Sequence, residues 1–196
     1  FRKKQLKRIF NNGSFEQGGR FYGGWWQNIP REYRQCIRLN DKDVVELDYS
    51  GLHINMLYAM AGQPMPEEDV YHLDGYSNDT PFRSFVKIIL QAVVNASDRE
   101  TARRALHKIV HKDKELELPP EIKSTRGEDI FPVMDAFERK HAPIGHYFCT
   151  GKGIDLQNLD SQMAEKILLH FSRMHYAILP VHDSFIIHHA LENELE

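Results

Sequence analysis

The chain has 196 residues, 41% of them hydrophobic, 27% charged and 11% aromatic, a balance that excludes a disordered tail or a fibre and predicts one soluble globular domain. No apolar run approaches the roughly 18 residues of a membrane span, no secretory leader precedes a cleavage site, and Cys36 and Cys149 are too few for a disulfide framework. A cytoplasmic protein without membrane contact is therefore expected, and a net charge of −3 argues against a uniformly basic coat.

The charge is unevenly spread. Between Phe1 and Asn40 the cations Arg2, Lys3, Lys4, Lys7, Arg8, Arg20, Arg31, Arg34 and Arg38 face only Glu16 and Glu32, an arm suited to tracking a phosphate backbone. Phe15, Phe21, Tyr22, Trp25 and Trp26 are interleaved with it, as base-stacking or core aromatics. Next, Val44 to Tyr49 alternates and predicts a strand with Val45, Leu47 and Tyr49 on one face and Glu46 and Asp48 on the other. Leu52 to Ala61 reads as a helix stopped by Gly62 and Pro64, which puts Asp48 at a strand-to-helix junction.

Phe82 to Ala96 predicts a second helix, with Phe85, Ile88, Ile89, Ala92 and Ala96 as its apolar stripe and Arg83, Lys87 and Gln91 at every fourth position. The charged stretch Lys112 to Asp129, with Pro119, Pro120 and Gly127, reads as a surface loop. His141, His146 and Cys149 crowd together but lack the Cys-x-x-Cys spacing of a structural zinc site. A third helix is expected over Leu159, Met163, Ala164, Ile167, Leu168, Phe171 and Met174, with Asp160 or Ser161 as its N-cap. Finally, Ala177 to Val181 and Phe185 to Ile187 read as two short strands around a His182-Asp183-Ser184 tip. The chain opens at Phe1, and Ala190 to Glu196 reads as the start of another helix, the pattern expected of a fragment.

Two acids on strand ends suit divalent metals, because Mg²⁺ takes oxygen ligands and is commonly held by one or two carboxylates together with substrate phosphates. The surrounding order of motifs resembles family A polymerases over most of the chain. Gly19-Arg20-Phe21 and Gln27-Asn28-Ile29-Pro30 are similar to the Gly-Arg and Gln-Asn-Ile-Pro elements of bacterial DNA polymerase I. Val45 to Ser50 resembles motif A, Arg83-x-x-x-Lys87 resembles motif B, and Pro180 to Phe185 resembles motif C. His182-Asp183-Ser184 and Ser50-Gly51 are similar to the phage single-subunit RNA polymerases, whereas Gln91 and Asn95 depart from motif B, which ends in a Tyr.

The resemblance implies an α+β palm-like fold: a small antiparallel sheet carrying Asp48 and Asp183, backed by helices, with a reduced fingers insertion at about 63–145 inside a single domain 1–196. It implies Asp48 and Asp183 as the catalytic acids holding two Mg²⁺ or Mn²⁺ ions, with the Tyr49 main-chain carbonyl as a further ligand. Arg83, Lys87, Gln91 and His53 would meet the nucleoside triphosphate. Arg20, Gln27, Asn28, Gln157, Gln162 and His182 would meet primer-template nucleic acid, with Asn158 beside them. Template-directed nucleotidyl transfer is the expected function, with thumb function supplied by other domains or subunits. Two alternatives stay open: a catalytically weak nucleic-acid-binding module derived from such a palm, and a metal-dependent phosphodiesterase that uses the same acids.

Overall fold

The structure is a computed structural model that describes residues 4–112, 122 and 130–195. The described residues form helices and two small antiparallel sheets, a mixed α/β chain in line with the α+β expectation. They divide into two compact units, Phe1–Leu52 with Ile154–Glu196, and His53–Gly153. The expected insertion at about 63–145 falls inside the second unit, whose bounds are wider. Among the described residues, no helix is long and apolar enough to cross a membrane. The loop expected over Lys112 to Asp129 lies outside them except for Lys112 and Ile122, as do Arg2 and Lys3 of the basic arm.

The first unit opens with a hairpin of β1 (Lys7–Asn11) and β2 (Ser14–Tyr22). Asn12 and Gly13 turn it with φ of 53° and 67°, the left-handed pair that a tight hairpin requires and that Asn-Gly supplies at least steric cost. The pairing slips between Ile9 and Asn11, and Gly19 follows in β2 with φ of 92°. A methyl on Gly19 would sit 2.8 Å from Phe10 Cε1 and 2.9 Å from Ser161 Oγ. Gly19→Ala is therefore expected to cost about 1–3 kcal/mol through backbone strain alone, while Gly13→Ala, with open space around its Cβ, costs less. Urea unfolding of the two variants checks the order.

The second sheet joins β3 (Val44–Asp48), β4 (Ile178–Val181) and β5 (Ser184–His188) in the order β3-β5-β4, all antiparallel. Central β5 is buried from Ser184 to Ile187, and Pro180, which has no N–H to give a ladder, sits on edge strand β4 as expected. The register places Val44, Glu46, Asp48, Ser184, Ile186, Leu179 and Val181 on one face. Trp26, Ile37, Val181 and Ile186 form the core there, with Leu6, Trp25, Ile29, Val44 and Leu179 packed against it. Trp25–Asn28 is a 3-10 turn and Arg31–Arg34 a short helix, α1.

Helix α2 spans Leu52–Met60 and ends where Gly62 adopts φ of 63° and Gln63 N–H donates to Tyr58 O, as the Gly-Pro signal predicts. Helix α3 covers Thr80–Asn95, starting two residues before the expected Phe82 because Asp79 accepts from Phe82 N–H at 2.8 Å and Pro81 fits the first turn. Its buried face is broader than the stripe, adding Phe82, Val86, Leu90, Val93 and Val94. Helices α4 (Arg99–Lys112) and α5 (Ile130–Lys140) pack on α3 and on each other. Arg99 ties them together by binding Asp135 and Glu138 over the Phe131 ring.

Helix α6 runs from Gly153 to Arg173. The N-cap expected at Asp160 or Ser161 is a correction: both lie mid-helix and are buried. Sequence reading placed them at a terminus because polar side chains inside a helix compete with its own hydrogen bonds. Here the hairpin satisfies them instead. Asn158 Nδ2 donates to Phe15 O at 3.0 Å and Gly18 O at 3.2 Å, Arg8 Nη2 donates to Ser161 Oγ at 2.9 Å, and Arg20 binds Asp160. The apolar stripe shifts accordingly, leaving Leu159 and Met163 exposed and burying Leu156, Ala164 and Phe171.

Candidate functional site

Asp48 is the last residue of β3 and is paired across the ladder with Ser184, the first residue of β5. Val181 and Ser184 are cross-strand partners, so His182 and Asp183 form a two-residue tip between β4 and β5. Tyr49 N–H donates to Asp183 O at 3.3 Å, stitching the exit of β3 to that tip. The two acids therefore leave one end of one sheet from adjacent strands. Directly opposed residues in an antiparallel pair have Cα atoms about 4.5–5.5 Å apart, which fixes the scale of the site.

Gln27, Trp26 and Glu46 hold the tip. Gln27 Nε2 donates to Phe21 O at 2.9 Å and Pro180 O at 3.0 Å, while its Oε1 accepts from Gly23 N–H and Gly24 N–H. All its hydrogen-bonding positions are used by main chain, so Gln27 serves to lock the strand leading into the tip. Trp26 Nε1 reaches the same Pro180 carbonyl at 2.9 Å. On the Asp48 face, Glu46 Oε1 accepts from Arg34 Nη1 at 2.7 Å and from Ser184 Oγ at 2.9 Å. Arg20 Nε meets Asp160 Oδ2 at 2.9 Å.

The electrostatics follow from that packing. Burial opposes the Arg20 charge, but the hydrogen bond and charge of Asp160, helped by Asp183, more than offset it and raise its pKa. His182 packs edge-on to Tyr22 at 5.4 Å and holds φ of 58°. Burial, then the Arg20 charge, push its imidazole pKa down, against Asp183 and Asp160. A left-handed non-glycine residue at a hairpin tip beside two acids is the kind of strain that accompanies sites.

A cavity of about 230 Å³ is lined by Leu47, Asp48, Tyr49, Phe185 and Leu195. Tyr49 stands edge-on to Phe185 at 6.4 Å there. Of the residues expected to contact nucleic acid, Asn28, Gln162 and His182 are exposed. Gln157 and Gln162 lie within α6 rather than leading into it, and Gln162 Nε2 donates to Asn158 Oδ1 at 2.6 Å.

Arg83, Lys87, Gln91 and His53 belong to the second unit. Arg83 binds Asp69 through Nε at 2.6 Å and Nη2 at 3.3 Å, and Asp69 is held below the usual carboxylate range chiefly by that bond. The Arg83 guanidinium and the Lys87 ammonium both lie over the Tyr71 ring, at 4.9 and 5.2 Å. Lys87 and Gln91 are exposed on α3, and His53 is half-buried in α2. Asn95 donates to Gln91 O at 2.7 Å and packs against Gly153, so this departure from motif B has a structural role.

The contacts that the sequence does not show are Ser184 Oγ donating to Glu46 beside Asp48, and Arg20 binding Asp160 in α6. Glu46 was placed on the Asp48 face by alternation alone, but nothing in the sequence pairs it with Arg34. His141 of the weak zinc cluster is fully buried, with Tyr58 Oη 2.9 Å from Nδ1 and Val70 O 2.9 Å from Nε2. A carbonyl only accepts, so Nε2 carries the proton and Tyr58 donates to Nδ1. Among the described residues, no group of three or more His, Cys, Asp or Glu side chains gathers as a metal cage. No protein-family model, curated protein or solved structure matches the chain.

Proposed function

We propose that the chain carries out template-directed nucleotidyl transfer, with Asp48 and Asp183 as its catalytic acids. The observation that carries this reading is their placement on neighbouring strand ends of one small sheet, bridged by the Tyr49–Asp183 main-chain bond. The donor set fits Mg²⁺ or Mn²⁺: two carboxylates and a nearby main-chain carbonyl are hard oxygen ligands, and such ions leave several positions for water and phosphate. Bound between the acids, two such ions would supply charge for both the attacking and the leaving oxygen of an in-line displacement.

The chain's own residues do the positioning. Asp48 is fixed by the β3–β5 ladder, and Asp183 by the Gln27 and Trp26 bonds to Pro180 one strand away. His182 presents its ring at the same tip, where it would orient the primer end. By the motif B resemblance, Lys87 and Arg83 would stabilise the negative charge that develops on leaving pyrophosphate. The primer 3′-hydroxyl gives its proton to solvent water as its oxygen bonds to the α-phosphorus, and the bond to pyrophosphate breaks. A primed template, labelled triphosphates and Mg²⁺ test the reading directly. No incorporation by the intact chain under any primer, template or sugar would overturn it.

Sugar choice is expected to involve His53, five residues after Asp48. Neutral imidazole both donates and accepts, so it accommodates a ribose 2′-hydroxyl as well as crowding it. Ribonucleotide incorporation alongside deoxyribonucleotide is the expected outcome, and His53→Ala should shift the ratio. A hydroxyl-bonding pocket discriminates by up to about 10⁴–10⁵; an unchanged ratio in competition assays removes His53 from the sugar pocket.

A further inference from the structure

The chain as a whole is mildly acidic, with 25 Lys and Arg against 28 Asp and Glu. Helix α4 is a local exception, in which Arg99, Arg103, Arg104, Lys108 and Lys112 stand against Glu100 alone. Its neighbour α5 is balanced, with Asp135 and Glu138 against Arg139 and Lys140. Two of the α4 cations are engaged within the fold. Arg99 binds Asp135 and Glu138, and Arg103 binds Glu100 at 2.6 Å with its guanidinium over the Phe131 ring. The other three face outward.

Arg104, Lys108 and Lys112 are exposed and follow one another at four-residue intervals. Four residues of α-helix rise about 6 Å and return to the same face, so the three head groups form a single file about 12 Å long. Glu100 meets Arg104 at 3.1 Å, but the Arg104 side chain stays 71% exposed. Among the described residues, Lys108 and Lys112 have no ion-pair partner. Thr101, Ala105 and His111 are the other exposed residues of α4, so no exposed acid interrupts the file. Like charges four residues apart repel and work against a helix. A helix that only covered α3 with Ala102 and Leu106 would gain nothing from them.

The complement of such a surface is a polyanion. A membrane-surface helix needs large apolar side chains beside its cations, and Ala105 is the one apolar residue among those exposed on α4. A single file of cations follows one phosphate backbone rather than the two of a duplex. We propose that the Arg104, Lys108 and Lys112 face of α4 is a docking surface for the phosphate backbone of single-stranded nucleic acid. The inference rests on the reading that this chain works on nucleic acid, and it adds a contact surface beyond the motif residues.

Each phosphate neutralised on a single strand adds about 0.7 to the steepness with which log affinity falls against log salt. Binding of a short fluorescein-labelled oligothymidylate to the full chain, followed by anisotropy over a KCl series, reads that slope without any catalysis. Lys108→Gln should reduce the slope by about 0.7. Combining Arg104→Gln, Lys108→Gln and Lys112→Gln should reduce it by about 2, which at about 0.1 M salt is about hundredfold weaker binding. Glutamine is a good helix former and removes the repulsion, so these variants should fold at least as well as wild type. Arg139→Gln takes the same charge from α5 and should leave the slope unchanged.

A wild-type slope in the triple variant would overturn the proposal. So would a fall in Arg139→Gln equal to that in Lys108→Gln, which reduces the effect to net charge. A duplex of the same length, or vesicles rich in phosphatidylserine, losing as much affinity in the triple variant as the single strand does would put another occupant on α4 and overturn it too. If the intact chain incorporates nucleotides while the triple variant binds the single strand as wild type does, only this inference fails. If the slope falls as expected while the intact chain incorporates nothing, the transfer reading fails and the docking surface stands.

Discussion

Asp48→Asn and Asp183→Asn are each expected to lower nucleotide incorporation by on the order of 10²–10³ or more, the cost of losing a preorganised electrostatic contact at a reacting centre. Asparagine keeps the shape and the β3–β5 ladder, which uses main chain only. The folded state should therefore survive. In wild type, two carboxylates leaving adjacent strands repel each other, and a cation that binds the native state relieves that repulsion and stabilises the fold by mass action. At a Mn²⁺ concentration 100 times its Kd the gain is about 2.7 kcal/mol. Thermal melting with and without Mn²⁺ should show that gain in wild type and its loss in both variants. Full incorporation by either variant would remove that acid from the site.

The largest stability effect is expected from acid. His141 is fully buried, and desolvation pushes its imidazole pKa from 6.5 down to about 4, against the Val70 carbonyl bond and with Lys140 adding to the shift. Phe137 and Tyr58 pack its ring, and the Tyr58 hydroxyl is itself pushed up by burial. The folded state therefore resists the proton that the unfolded chain accepts below about 6.5, so the neutral ring's contribution is intact above that pH and declines as pH falls towards 4. At 1.36 kcal/mol per decade of proton affinity, about 3 kcal/mol is lost by pH 4.

The carboxylates held low by partners, Glu100 at about 2 and Asp69, Asp79 and Asp98 below their ordinary value, lose their contributions only below about pH 5. Between pH 7 and 5 the decline is thus dominated by His141. His141→Gln should be less stable than wild type at pH 8 yet fall less steeply from pH 7 to 5. Equal slopes for the two proteins in denaturant titrations would dismiss His141 as the acid-sensitive group.

Much of this chain is written in local patterns. Alternation in Val44 to Asp48 located β3 and put Glu46 beside Asp48, because a pleated strand has a period of two, while the apolar β-forming runs on either side of His182-Asp183 located β4 and β5. Helical periodicity and the Gly62-Pro64 stop located α2, and the stripe from Phe85 to Ala96 located α3. The first hairpin went unread because the segment was taken as a basic arm, although Asn12-Gly13 between Phe10 and Phe15 is its turn signal. Asp79 and Pro81 likewise marked the true start of α3.

Other features belong to tertiary structure alone. The start of α6 at Gly153, the burial of Asn158, Asp160 and Ser161, and the exposure of Leu159 and Met163 follow from a hairpin more than 130 residues away, as Asn158 reaching Phe15 shows. A polar residue is read locally as a cap or a surface group, and only a distant partner with matching donors reverses that. The same holds for Arg20 with Asp160 and Arg34 with Glu46. Sequence by itself determined which residue types stand at the sheet end. Which acids hold arginines there, and which two leave adjacent strands together, was decided by long-range pairing, because charge matching acts through space and not along the chain.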